Sequence, residues 1–140
     1  GVKTFDIKDF DISYLKGLSL KDGAATITNF TGNIIGKNIA SYIAEKYNED
    51  KKLAQWQILV CGGGRKNKKL IETIEKSIGI QNMLIDNFES IDAFTVDGDF
   101  VESQAFAYLA VRSYLKLPIS FPETTGCIKP CTGGLIIKNF

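Results

Sequence analysis

Between Ala24 and Tyr47 the apolar residues Ile27, Phe30, Ile34, Ile35, Ile39, Tyr42, Ile43 and Tyr47 follow the three-and-four spacing of a helix. This predicts a long amphipathic helix, with Asp22 placed to act as its N-cap. Gly32 and Gly36 stand four apart on it and give one face two flat spots where another backbone can come close. Ahead of it, Asp11-Ile-Ser-Tyr-Leu15 suits a short helix and Lys21-Asp22-Gly23 a turn. Further on, Gln55–Cys61 is short, rich in apolar residues and runs into glycines, which suits a buried parallel strand.

A second helical stripe, Leu70, Ile71, Ile74 and Ile78, is closed by Gly79, and Asn82–Asp86 reads as the next strand, so the middle of the chain forms a βαβ unit. Asn87–Gly98 reads as loop. Val101, Ala105, Phe106, Leu109 and Ala110 lie along a third helix that stops before Leu117-Pro118, and its alanines Ala105, Ala107 and Ala110 suit close packing on the sheet. Gly134–Lys138 is placed to return as an edge strand. The expected architecture is one α/β domain, residues 1–140, with a short, mostly parallel sheet flanked by helices near Ala24–Tyr47, Lys66–Ile78 and Asp99–Leu115.

Chemistry concentrates where the first strand ends. Gly62, Gly63 and Gly64 sit at its carboxyl end and just ahead of a helix, the position at which open α/β sheets bind ligands. Glycines there allow positive φ and close approach to a ring or a phosphate, and the first helical amides remain as donors. Arg65, Lys66, Lys68 and Lys69 add positive charge, and Asn67 can donate and accept. The plainer alternative is a tight turn that serves packing only. The loop carries neither the G-x-G-x-x-G dinucleotide fingerprint nor a P-loop ending in Lys-Ser/Thr.

Glu102 has two readings of its own. Asp99 and Glu102 are three apart in the manner of a capping box, so Glu102 can satisfy a backbone N–H and complement the helix dipole. Alternatively it points from the helix start into a cleft and binds a substrate hydroxyl or an attacking water.

Charge narrows the ligand class. Seventeen basic against sixteen acidic residues leave a net charge of +1, which gives no field to draw nucleic acid or anionic lipid, so a small bound ligand is expected, with neither nucleic acid nor membrane as partner. No apolar run approaches the roughly 20 residues of a membrane span, and no secretory pattern opens the chain. The three cysteines, Cys61, Cys127 and Cys131, do not make a secreted disulfide framework, so a cytoplasmic setting is expected. With no histidine, Cys127 and Cys131 supply at most two of the four ligands zinc needs, and no metal site is expected. Gly1 as first residue, with Met83 the only methionine, suggests a piece of a longer protein.

The order of these pieces resembles the C-terminal part of the anhydro-N-acetylmuramic acid kinase family, within the actin-like sugar kinases. The resemblance is carried by Lys3-Thr4, Asp22–Thr28, Leu59–Gly64 with Asn67, Glu102–Ala110 and Pro122–Gly126. It implies a three-layer, actin-like (ribonuclease H-like) half-domain on the nucleotide side, with the N-terminal half absent. The reaction it implies uses ATP and water to open the 1,6-anhydro ring of anhydro-N-acetylmuramic acid and phosphorylate the 6-hydroxyl, in peptidoglycan recycling.

By the same resemblance Gly62, Gly63 and Gly64 are nucleotide contacts with Asn67 beside them, and Glu102 is the acidic residue near the sugar. ATP enters with Mg2+, whose ligands are not expected in this chain. The partners implied are the anhydro-amino sugar and the N-terminal kinase half. The alternative is a non-catalytic remnant of that kinase, nucleotide-binding or self-associating. Arg65 departs from the small residue common at its position, Ser103 and Cys127 replace alanines, and Phe5-Asp6-Ile7 departs from the usual sequence after Lys3-Thr4. The phosphate loops and catalytic aspartate of the family lie upstream of the matched region, so the isolated chain is expected to be inactive.

Overall fold

The computed structural model describes residues 7–49, 56–79, 84–135 and 137. Lys3-Thr4 lies outside these residues, as do parts of the strands expected at Asn82–Asp86 and Gly134–Lys138. The architecture is mixed α/β, a two-stranded parallel sheet with helices around it, in keeping with an actin-like half-domain. The chain divides into two compact units, Ile12–Asp99 and, separately, Gly1–Asp11 with Phe100–Phe140.

The unit Ile12–Asp99 opens with a single 3-10 turn, Ser13–Leu15, and then a helix α1 of thirty residues, Leu20–Glu49. It starts four residues earlier than the apolar spacing predicts, and Lys21-Asp22-Gly23 is its first turn, not a bend ahead of it. Ser19, not Asp22, is the cap. The Ser19 hydroxyl accepts from the Asp22 amide at 3.1 Å and donates to the Asp22 carboxylate at 2.6 Å, while the Ser19 carbonyl takes the first helical bond from Gly23. This reciprocal arrangement satisfies donors that would otherwise be orphaned.

Two further elements follow in order, strand β1 at Trp56–Val60 and helix α2 at Lys68–Ile78, the latter closed by Gly79 at φ 61° as its position in the sequence implies. Helix α1 packs directly on α2. The two flat spots predicted on α1 mark that contact: Gly32 and Gly36 are both buried, one against Thr73, the other against the Ile74 carbonyl and Ser77. Ser77 also donates to Asn33 Oδ1 at 2.7 Å across the interface. Among the described residues the buried apolar side chains are Ile43 on α1 and Ile74 and Ile78 on α2, each contributing about 1.5–3 kcal/mol through burial. The remaining apolar residues of α1 do not gather on one buried stripe, and Ile35 and Tyr42 stay exposed.

The next strand, β2, spans Ile85–Ser90 and runs parallel to β1, pairing Ile58 with Phe88 and Val60 with Ser90. It therefore extends through Asn87–Ser90, which the sequence assigns to a loop. Asn87 and Glu89 make that stretch look polar, but a strand with one half-open face tolerates alternating polar residues, and the backbone pairing with β1 decides the matter. Leu59 is itself 41% exposed, so β1 is not the fully buried strand expected. A 3-10 turn, Ile91–Phe94, follows with Ser90 as its cap.

In the other unit, helix α3 spans Val101–Tyr114 and a one-turn helix α4 spans Pro122–Thr125. Ala105, Ala107 and Ala110 are exposed, so the close packing expected of them is not seen. Helix α3 ends where Arg112 Nε binds the Pro118 carbonyl at 2.7 Å, and an isolated antiparallel bridge joins Ser120 to Cys131. Gly126, at φ 69°, closes α4 in the left-handed conformation.

Candidate functional site

Strand β1 delivers the chain to Cys61 and then to Gly62, whose φ of 77° is the one backbone angle in the loop that demands glycine. Gly63–Lys66 form a 3-10 turn and Asn67 caps α2, its Oδ1 accepting from the Leu70 amide at 3.1 Å. Gly62, Gly63, Gly64 and Asn67 are therefore brought together in one short loop at the carboxyl end of a parallel strand. A Cβ at Gly63 would meet nothing within 4 Å, and one at Gly64 only Leu70 Cδ2 at 3.6 Å. Neither packing nor backbone geometry requires glycine at those two positions, which favours an open backbone left for a ligand over a turn built only for packing.

The amides divide in the same way. Gly62 N–H donates to the Gly98 carbonyl at 2.8 Å, whereas no hydrogen bond joins the Gly63 or Gly64 amide to a described residue. Behind the loop a cavity of about 250 Å3 is lined by Ile39, Ile58, Val60, Gly64, Leu70 and Phe88. That is below the ~300 Å3 at the lower end of small-molecule pockets, so it suits part of a ligand, such as a flat ring, and not a whole nucleotide. A roomier open groove along α1, between Tyr14, Phe30 and Lys37, includes no residue of the glycine loop.

The cations expected to enrich the loop are largely spent on neighbouring acids. Arg65 is turned inward onto Asp92 and Asp99, Lys66 reaches Asp99 at 2.6 Å, and Lys69 reaches Glu72 at 3.3 Å. The hydrogen bonds from Arg65, with those from Ser90 and the Gly98 amide, hold the Asp92 carboxyl well below the usual carboxylate range. Hydrogen bonds from Arg65 and Lys66 lower Asp99 in the same direction, and Arg65 is raised by Asp92 and then Asp99.

Both carboxyls stay charged in the fold where the unfolded chain would protonate them. Their stabilisation is therefore complete above about pH 4 and lost as pH falls through the folded-state values. Arg65, shifted upward from an already high value, adds no pH dependence in that window. Thermal melts from neutral pH into the acid range should show the loss, and Asp92→Asn should lower the neutral midpoint while making the acid decline shallower. An equally steep decline in Asp92→Asn would dissociate Asp92 from the effect.

Glu102 belongs to the other compact unit. It lies exposed in the first turn of α3, whose N-cap is Phe100 with no side-chain cap bond. The expected capping box does not form, because the Asp99 carboxylate is held by Arg65 and Lys66. Among the described residues, Glu102 has no hydrogen-bond or ion-pair partner. Asp92 and Gly98, which organise the glycine loop from a distance, are the residues the sequence reading did not single out.

The family model for anhydro-N-acetylmuramic acid kinase matches residues 8–139. The chain belongs to this family. It is 51% identical over 137 residues to the anhydro-N-acetylmuramic acid kinase of Pelagibacter ubique (strain HTCC1062), covering 98% of this chain and 34% of that protein. Over 136 residues it is 39% identical to the kinase of the same name in Rhizobium rhizogenes (strain K84 / ATCC BAA-868), covering 97% of this chain and 33% of that one. A third relative of that name, from Zymomonas mobilis subsp. mobilis, is 37% identical over 134 residues, with 96% and 33% covered. The chain thus spans about a third of the length of these curated relatives.

Proposed function

We propose that this chain is the C-terminal, nucleotide-side part of an ATP-dependent kinase acting on anhydro-N-acetylmuramic acid. The whole enzyme would hydrolyse the 1,6-anhydro bond and phosphorylate O6 in cytoplasmic peptidoglycan recycling. The observation that carries the reading is the glycine loop: in a chain of this family, two amides with no hydrogen-bond partner among the described residues and an uncluttered backbone stand at the carboxyl end of a parallel strand. Gly62, Gly63 and Gly64 would line the nucleotide. Asn67 would meet it through Nδ2 as a donor, since its Oδ1 is committed to Leu70. Glu102 would hold the attacking water or a sugar hydroxyl.

Mg2+ carried by the nucleotide would neutralise charge on the transferred phosphoryl group. The partner of the chain is the rest of the kinase, which brings the phosphate loops and the catalytic aspartate. Three free thiols, Cys61, Cys127 and Cys131, accord with a reducing compartment. Among the described residues, no helix is long and apolar enough to cross a membrane.

Calorimetry with adenosine and ATP tests the loop, and a phosphorylation assay with the anhydro sugar tests completeness. The 140-residue chain is expected to bind nucleotide, to show no turnover alone, and to support turnover once the remaining part of the kinase is supplied. Absence of binding heat would remove the nucleotide assignment, and phosphorylation by the chain alone would refute its incompleteness.

A further inference from the structure

Of the cations around the glycine loop, Arg65 has a covered side chain, 8% of it exposed against 63% for Lys66 and 65% for Lys69, and its partners come from well separated places in the sequence. Its Nε and Nη2 fork onto the Asp92 carboxylate at 2.6 and 3.1 Å. Its Nη1 donates to Asp99 at 2.5 Å and to the Gly62 carbonyl at 3.0 Å. Asp92 in turn accepts from the Gly98 amide at 2.9 Å, and the Gly98 carbonyl accepts from the Gly62 amide at 2.8 Å. The circuit closes on itself: Gly62 to Gly98, Gly98 to Asp92, Asp92 to Arg65, Arg65 to Gly62. Gly98 is buried beneath the guanidinium, and a Cβ there would stand 2.6 Å from Arg65 Nε and 2.8 Å from Cζ.

We propose that Arg65 is a positioning residue, fixing the Gly62 turn in the conformation that offers Gly63 and Gly64 to a nucleotide and taking no part in binding phosphate. This rests on the reading of the loop as a nucleotide site. Two carboxylates within hydrogen-bond distance already balance the guanidinium, so it retains little attraction for a further anion. The planar fork that reaches two acids and a carbonyl at once is a geometry lysine does not reproduce. The guanidinium is thus a brace between the glycine loop and the Asp92–Asp99 segment.

The test compares the 140-residue chain with Arg65→Ala, Arg65→Lys and Asp92→Asn. Hydrogen exchange is read first, without nucleotide. The Gly62 and Gly98 amides are expected to exchange about tenfold faster in Arg65→Ala and Asp92→Asn, the ratio that follows from losing one hydrogen bond of ordinary net strength. Arg65→Lys should recover part of that protection, and the α2 amides of Ile74 and Ile78 should be unchanged in all three, showing that the unit still folds. Unchanged exchange at Gly62 and Gly98 overturns the proposal whatever the nucleotide does.

Affinities for adenosine and ATP are read second. Positioning lowers both by the same factor in Arg65→Ala, whereas a loss confined to ATP makes Arg65 a phosphate ligand and overturns the proposal. If the wild-type chain binds neither, the nucleotide reading fails by itself, and the exchange rates still decide whether Arg65 sets the loop.

Discussion

The Gly36→Ala variant is expected to be less stable than wild type by about 1–3 kcal/mol, the usual cost of forcing a methyl group into a filled contact. The added Cβ would stand 2.6 Å from the Ile74 carbonyl oxygen and 2.6 Å from Ser77 Cβ. That carbonyl is part of the α2 backbone and cannot rotate aside, so α1 and α2 must separate locally. Alanine favours a helix over glycine by up to about 1 kcal/mol, and this gain offsets only part of the clash. Gly32→Ala should behave similarly, since its Cβ would meet buried Thr73 at 2.7 Å. Gly23→Ala supplies the opposite sign on the same helix: nothing lies within 4 Å, so the variant should gain about 0.5–1 kcal/mol. Thermal unfolding of the three variants checks the ordering, and a Gly36→Ala midpoint at or above wild type would remove the close helix contact as its cause.

What the sequence discloses here follows from how local each signal is. The βα transition is readable because strand, glycines, Asn67 cap and the Leu70 to Ile78 stripe are consecutive, and each reports on its immediate neighbours. The flat spots at Gly32 and Gly36 are readable as a need for close approach, although not the identity of Thr73, Ile74 and Ser77 as what approaches. The start of α1 is misplaced because Asp22-Gly23 resembles a turn, yet Ser19-x-x-Asp22 is itself a capping signal that would have located it. The second strand is misplaced for a non-local reason: its pairing with β1 outweighs the polar character of Asn87 and Glu89.

At the site, the same division separates the glycines from their support. Gly62, Gly63, Gly64 and Asn67 announce themselves in one stretch of chain. Arg65 looks like a solvated cation in sequence, because its partners Asp92 and Asp99 lie 27 and 34 residues away. That pairing also undoes the Asp99–Glu102 capping box: a carboxylate engaged by Arg65 and Lys66 is not free to cap a helix. The feature that resembles added positive charge is thus closer to a neutral brace, and nucleotide phosphates would have to find their counter-charges mainly elsewhere in the assembled kinase.

Glu102→Gln is expected to lower turnover of the assembled kinase by about 10²–10⁴-fold, the range for removing a positioned acid or base. Glutamine keeps the size and hydrogen-bonding reach of the side chain and deletes only its charge and basicity. The structure separates this from a folding defect. Glu102 is exposed, its helix is capped at Phe100 without a side-chain bond, and Glu102 has no hydrogen-bond partner among the described residues. Losing a favourable charge in the first helical turn should therefore cost less than about 1 kcal/mol. ATP affinity should be unchanged, because the role proposed for Glu102 is on the sugar and water, not on the nucleotide. Measuring kcat with the anhydro sugar, ATP affinity and the thermal midpoint together distinguishes the roles. A variant that melts markedly earlier yet turns over normally would return Glu102 to a purely structural position in α3.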